Sequence, residues 1–183
     1  MDLNEEVPYL YHYYERNTGP LKNLSELDSN DAERIFKKLQ KENTTFAAKR
    51  PANYLIIRRE LEEKIRELFI NKGGEPKKGF PHYFIFGECP WVKEWFQDGM
   101  EVKIPLKKFD PKTISFTYGD SFPAMRFQDG KPYRGQVYTL EEISKIIKLY
   151  GLPQEWNKDG KYGPERYIEV QVWDDEPLLL NGG

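Results

Sequence analysis

Glu169 stands in the stretch best suited to chemistry, Arg166-Tyr167-Ile168-Glu169-Val170-Gln171-Val172-Trp173. Its alternation predicts a strand over Arg166–Trp173, whose successive side chains point to opposite faces. Ile168, Val170 and Val172 make a core face, and Tyr167, Glu169, Gln171 and Trp173 make the other. A carboxylate and an amide between two large rings form a recognition surface: the rings stack on a base or sugar while Glu169 polarises a hydroxyl. The plainer alternative is a wet sheet face shielded by its rings. The chain has two histidines, His12 and His82, each beside a tyrosine in a predicted strand. A histidine so placed is more often structural than catalytic, although two of them beside aromatic rings strengthen the catalytic case.

The opening Tyr9-Leu10-Tyr11-His12-Tyr13 resembles the first-strand motif of ADP-ribosyltransferase-like domains, and Arg166–Val172 resembles their late strand. The resemblance implies NAD as the substrate. His12 would hold a ribose, and Tyr83 in His82-Tyr83-Phe84-Ile85-Phe86 would stack on nicotinamide. Glu169 would stabilise the oxocarbenium-like centre as nicotinamide leaves. Tyr11, Tyr167, Gln171 and Trp173 would complete the cofactor-facing surface. The order His, Tyr, Glu along the chain agrees with that family. The chain as a whole is similar to an uncharacterised bacterial family, a similarity that implies no activity. An NAD-directed transferase or glycohydrolase needs His12, Tyr83 and Glu169 in one cleft. The other candidate is a non-catalytic binding or regulatory module, whose aromatic face takes a small-molecule nucleotide or a protein target.

Other chemistries have less support. Glu101-x-Lys103, with Glu88 or Asp98 upstream, echoes the acids and lysine of metal-dependent nucleases. The formal net charge of −2 lacks the basic excess of a nucleic-acid binder, so no nucleic-acid partner is expected. One cysteine and two histidines make no zinc spacing, and no metal is expected. Cys89 lies between Glu88 and Pro90 with Trp91 next, which predicts an inert buried thiol. No phosphate-binding glycine loop and no Gly-x-Ser-x-Gly elbow occurs.

The elements that would position these residues follow from periodicity and punctuation. Strands are predicted at Tyr9–Tyr14, His82–Phe86, Glu101–Pro105 and Thr113–Tyr118, besides the last one. A helix over Asp31–Lys41, capped by Asn30, precedes a longer one over Ala52–Asn71. The longer helix has an apolar stripe of Tyr54, Ile57, Leu61, Ile65 and Leu68. Its charged residues Arg58, Arg59, Glu62, Glu63, Arg66 and Glu67 read as a solvated face. A short helix follows Pro90. Asp129-Gly130 predicts a hairpin between Met125–Phe127 and Tyr133–Arg134. Thr139-x-x-Glu142 opens a third main helix that Gly151 and Pro153 end. The loop Gln154–Arg166 is a candidate lid over Glu169.

Irregular alternation of strands and helices predicts one α+β domain over 1–183, with a mixed or mainly antiparallel sheet and about three helices packed outside it. Tails are expected at 1–7 and 178–183. A 183-residue chain buries a sizeable core without disulfides or metal. A lone cysteine suits a reducing compartment. With neither a signal-peptide pattern nor an apolar run long enough to span a bilayer, the chain is expected to be cytoplasmic and free of membrane.

Overall fold

The structure, a computed structural model, describes residues 8–42 and 51–179. It is an α+β fold built on a five-stranded, wholly antiparallel sheet. The strands are β1 (Tyr9–Glu15), β2 (His82–Phe86), β3 (Gly99–Pro105), β4 (Ile114–Thr117) and β5 (Glu169–Val172), in the spatial order β3-β1-β2-β5-β4. Among the described residues three helices exceed ten residues: α1 (Ser29–Glu42), α2 (Tyr54–Asn71) and α5 (Leu140–Tyr150). Between and after them come four short turns of helix, α3 (Pro90–Lys93), α4 (Ser121–Arg126), α6 (Pro153–Trp156) and α7 (Glu176–Leu179). No helix among the described residues is long and apolar enough to cross a membrane.

Register assigns every strand residue to a face, because directly paired residues of antiparallel strands project together. Val170 pairs with Phe84 and Phe116, and Val172 with His82 and Ile114. With Leu10 and Phe86, all of these residues except His82 meet Ile143 and Ile147 of α5 in the main core. Glu169 pairs with Ile85 and Thr117, and Gln171 with Tyr83 and Ser115, on the other face. Helix α2 covers part of that face: Leu61, Ile65 and Phe69 pack with Trp173, Met125 and Val137. A third cluster, Tyr13, Ile85, Cys89, Val92 and Tyr167, continues it toward β1. The sheet is therefore sandwiched, not half-wet.

Several sequence expectations change. Trp173 and Gln171 are not on an outer recognition face, since both are fully buried. Trp173 lies under α2 and donates its indole N–H to Ser115 Oγ at 2.9 Å. Helix α1 is capped by Asp28, whose Oδ1 accepts from the Asn30 and Asp31 amides, rather than by Asn30. Asp129-Gly130 does turn, with Gly130 at φ 75°, but Ser121–Arg126 before it is helical, so no hairpin forms. The capping box at α5 is present as expected, with Thr139 and Glu142 bonded reciprocally. Leu178 is buried in α7 rather than free in a tail; 1–7 and 180–183 lie outside the described residues.

Candidate functional site

Where α2, α3 and α4 diverge over the second sheet face, they leave a cavity of about 400 Å³. That volume suits a small ligand. Rings line most of it: Tyr11 and Tyr13 from β1, Tyr83 from β2, Trp95 and Phe96 after α3, and Phe122 from α4. Tyr54 stacks on Phe122 with ring centroids 5.2 Å apart. Tyr167 meets Trp95 edge-on at 6.3 Å. The charged lining residues are Arg58, Arg126, Asp120 and Glu169.

Glu169 is positioned by β5 and by its neighbour but one. Gln171 Nε2 donates to Glu169 Oε1 at 3.0 Å, and Gln171 is itself fixed by Ser115 Oγ (2.8 Å) and Thr117 Oγ1 (3.2 Å). The Ser121 amide approaches Glu169 Oε2 at 3.4 Å. Asp120 arrives from the other direction. Gly119, at φ 103°, turns the chain out of β4 in a conformation that favours glycine. Asp120 then caps α4: Oδ1 accepts from the Phe122 amide at 2.8 Å. Its Oδ2 accepts from the Tyr167 hydroxyl at 3.1 Å. Two acids thus share one apolar wall, and neither makes an ion pair among the described residues. Burial, followed by the Asp120 charge, pushes the Glu169 carboxyl up to about 8; the bonds from Gln171 and Ser121 only partly offset this.

Tyr83 and Arg58 also line the cavity, with a buried anchor behind them. Glu62, 2% exposed, accepts on Oε1 from Tyr83 Oη (2.8 Å), Ser25 Oγ (2.9 Å) and Arg58 Nε (3.0 Å). Arg58 also donates to Asn23 Oδ1 at 2.7 Å and lies 5.0 Å over the Tyr83 ring. Burial alone would lower the guanidinium's pKa, but Tyr54, Tyr83 and Glu62 hold it above its usual value. The face of α2 read as solvated therefore carries, in Arg58 and Glu62, two inward residues. The signal is present in the sequence: they precede Ile65 by seven and three positions, on the stripe that ends at Phe69.

Of the residues chosen from the sequence, Tyr11, Tyr83, Tyr167 and Glu169 share this cavity, and His12 borders it. His12 does not join them as a ligand group. β1 and β2 pair at only two positions, Leu10–Phe86 and Tyr11–Ile85. Beyond these, the His12 ring bridges the strands and packs on Phe84 and Tyr14, toward the α5 side. The Leu21 amide donates to Nε2 at 3.0 Å, so the proton belongs on Nδ1, which donates to the Tyr83 carbonyl at 2.9 Å. No ring nitrogen is left for a ribose.

Burial lowers the His12 pKa from 6.5 to about 4, and the Tyr83 carbonyl only partly opposes it. The folded state thus resists a proton that the unfolded chain accepts. The resulting stability is complete above pH 6.5 and lost as pH falls through 4, about 3 kcal/mol in all. We expect the His12 C2–H resonance to stay still down to about pH 5; a midpoint near the ordinary histidine value contradicts a buried neutral ring.

The remaining candidates are committed elsewhere. Glu101 pairs with Lys93 at 3.2 Å, Asp98 with Arg16, and Lys103 lies over the Tyr9 ring, so no nuclease-like cluster forms. The loop Gln154–Arg166 contributes nothing to the cavity lining. Buried Asn157 pins it through the Gly163 and Glu165 carbonyls, and Arg134 and Lys131 clamp Glu165; it is not a lid. Cys89 is buried, and burial pushes its thiol up. Glu26, His82 and Asp175 converge, but on the Lys78 ammonium, which donates to Asp175 at 2.7 Å and lies 3.0 Å from His82 Nε2. A comparison with protein-family models, curated proteins and solved structures finds no match for the chain.

Proposed function

We propose that the chain is a small-molecule-binding protein whose ligand enters the aromatic cavity and meets the Asp120 and Glu169 carboxyls. The observation that carries this reading is a ligand-sized, mainly aromatic cavity with a buried acid, Glu169, and a half-buried one, Asp120, on one wall. Apolar lining with a few convergent polar groups and a perturbed titratable residue is the usual make-up of a ligand site. Rings supply affinity and acids supply orientation. The aromatic module expected from the sequence is thus the leading reading, with its face enclosed by α2 and α4 rather than open.

A second reading is a group-transfer enzyme at the same place, NAD-directed as the resemblance implies. It is favoured by Tyr11, Tyr83, Tyr167 and Glu169 sharing one cavity. It lacks the His12 ribose contact. At neutral pH Glu169 would enter such a reaction protonated, as a hydrogen-bond donor or general acid.

Thermal-shift and calorimetric titration with nucleosides, NAD and other planar small molecules tests both. Binding should weaken about tenfold in Tyr11→Ala, the loss of one ring contact. A panel in which nothing binds, or in which binding ignores Tyr11, defeats the first reading. Release of nicotinamide or a free base, abolished by Glu169→Gln, is the result the second requires.

A further inference from the structure

We infer that the cavity is built for a planar ligand that carries positive charge, seated against the Asp120 and Glu169 carboxyl pair. This deepens the binding reading by naming the ligand's charge class and rests on that reading for the location.

The charges around the cavity are not balanced alike. Arg58 is a cation with its counter-ion already in place, Glu62, and its other donors bond Asn23 and Tyr54. It offers a ring-stacked surface more than a free charge. Asp120 and Glu169 have no such partner among the described residues. Their bonds come from neutral donors: the Phe122 and Ser121 amides, the Tyr167 hydroxyl and the Gln171 amide. Two acids held together without a cation repel, and the burial of Glu169 makes that repulsion costly. A ligand cation relieves it, and the surrounding rings add attraction through their faces. Arg126 ends α4 exposed at the cavity's edge and makes no ion pair among the described residues. It suits an anionic or polar tail on the same ligand.

Glu169 sits largely protonated in the empty cavity, so a cation arriving beside it should expel that proton. The titratable and charged groups facing Glu169 are Asp120 before α4, Tyr167 just before β5 and Tyr83 of β2. Arg58 of α2 and Arg126 of α4 line the same cavity, and the His12 ring lies toward the α5 side of β1. Tyr83 and Tyr167 are held well above the ordinary tyrosine value, chiefly by burial. His12 titrates well below neutrality. Of Glu169, Tyr83, Tyr167 and His12, only Glu169 exchanges a proton near pH 8.

The test uses a matched pair, 1-methylnicotinamide as the cation and nicotinamide as the neutral ring, with the full chain. Affinities come from NMR shift titration, and proton release from a pH indicator in weak buffer. The cation should bind roughly tenfold to thirtyfold more tightly. It should release close to one proton at about pH 7 and almost none at about pH 9. Glu169→Gln should abolish the release and most of the preference. Equal affinity for the two rings, at a site lost in Tyr11→Ala, overturns the charge inference and leaves the binding reading standing. A cation preference unchanged in both Glu169→Gln and Asp120→Asn also overturns it. If the cation binds while no nucleoside or NAD does, the inference stands and the nucleotide reading falls. If neither ring binds and the wider panel is silent, both fall.

Discussion

Replacing Glu169 by Gln should stabilise the protein at alkaline pH and leave it almost unchanged in acid. Burial and Asp120 raise the Glu169 carboxyl from 4.5 to about 8 in the folded chain. Between those values the folded state keeps a proton that the unfolded state has given up. The contribution is thus complete below pH 4.5 and lost as pH rises through 8. Each tenfold difference in proton affinity between the two states is worth about 1.4 kcal/mol, so the loss approaches roughly 5 kcal/mol as a ceiling. That is a large share of the roughly 5–15 kcal/mol that holds a domain folded. Glutamine has nearly the same shape and can still accept from Gln171, but it never ionises. Urea unfolding of both forms at about pH 5, 7 and 9 should show a difference that starts near zero and grows to several kcal/mol. The His12 contribution has the opposite slope and is common to both forms, so it cancels in the difference. A gap that stays constant with pH, or a variant weaker at pH 9, would show that Glu169 is not held protonated. A protein that keeps so costly a carboxyl in a cavity gains by it only if something binds there, which links this stability experiment to the ligand question.

Local signals in the chain are legible where one residue type determines one geometry. β2 spans His82–Phe86 and α5 begins at its capping box, both as the sequence predicts. The alternation of Tyr167 to Trp173 correctly separates two faces. It cannot say what covers each face, because that depends on α2, about a hundred residues earlier in the chain. Polar Glu169 and Gln171 suggest water, yet Leu61, Ile65 and Phe69 close over Trp173 beside them. Arg58 and Glu62 mislead for the same reason. A charged pair on a helix is usually solvated, and here their mutual bond, with those to Tyr83, Ser25 and Asn23, makes burial tolerable. Asp120 escapes notice although Gly119-Asp120-Ser121-Phe122-Pro123 is a helix-start pattern; the expected hairpin at Asp129-Gly130 draws Met125–Phe127 into a strand instead. His12 is unusual, as its place among rings suggests, but its role is to bridge diverging strands. No residue-type argument distinguishes a histidine that bonds two backbones from one that bonds a ligand.

Arg58→Met should cost about 3–5 kcal/mol, the largest stability loss expected from any one charged residue here, because it strands a buried carboxylate. Glu62 Oε2 has no hydrogen-bond partner among the described residues, so all its compensation arrives at Oε1 from Ser25, Arg58 and Tyr83. Of these three, only Arg58 carries charge. Methionine keeps the side chain's apolar bulk against Tyr54 and Tyr83 while deleting the guanidinium, so packing loss is small and the unpaired anion dominates. Arg58→Met with Glu62→Gln should recover much of the loss, since the amide has no charge to strand and can still accept from Tyr83. A double variant as unstable as Arg58→Met alone would mean that guanidinium stacking on Tyr83, rather than the ion pair, is what matters. The distinction bears on ligand binding. Tyr83 is held against the cavity by Glu62 at its hydroxyl and by Arg58 over its ring. A double variant that refolds but leaves Tyr83 mobile should bind planar ligands more weakly without any change at Asp120 or Glu169. Comparing its affinity with that of Glu169→Gln then separates what the ring wall contributes from what the acid wall contributes.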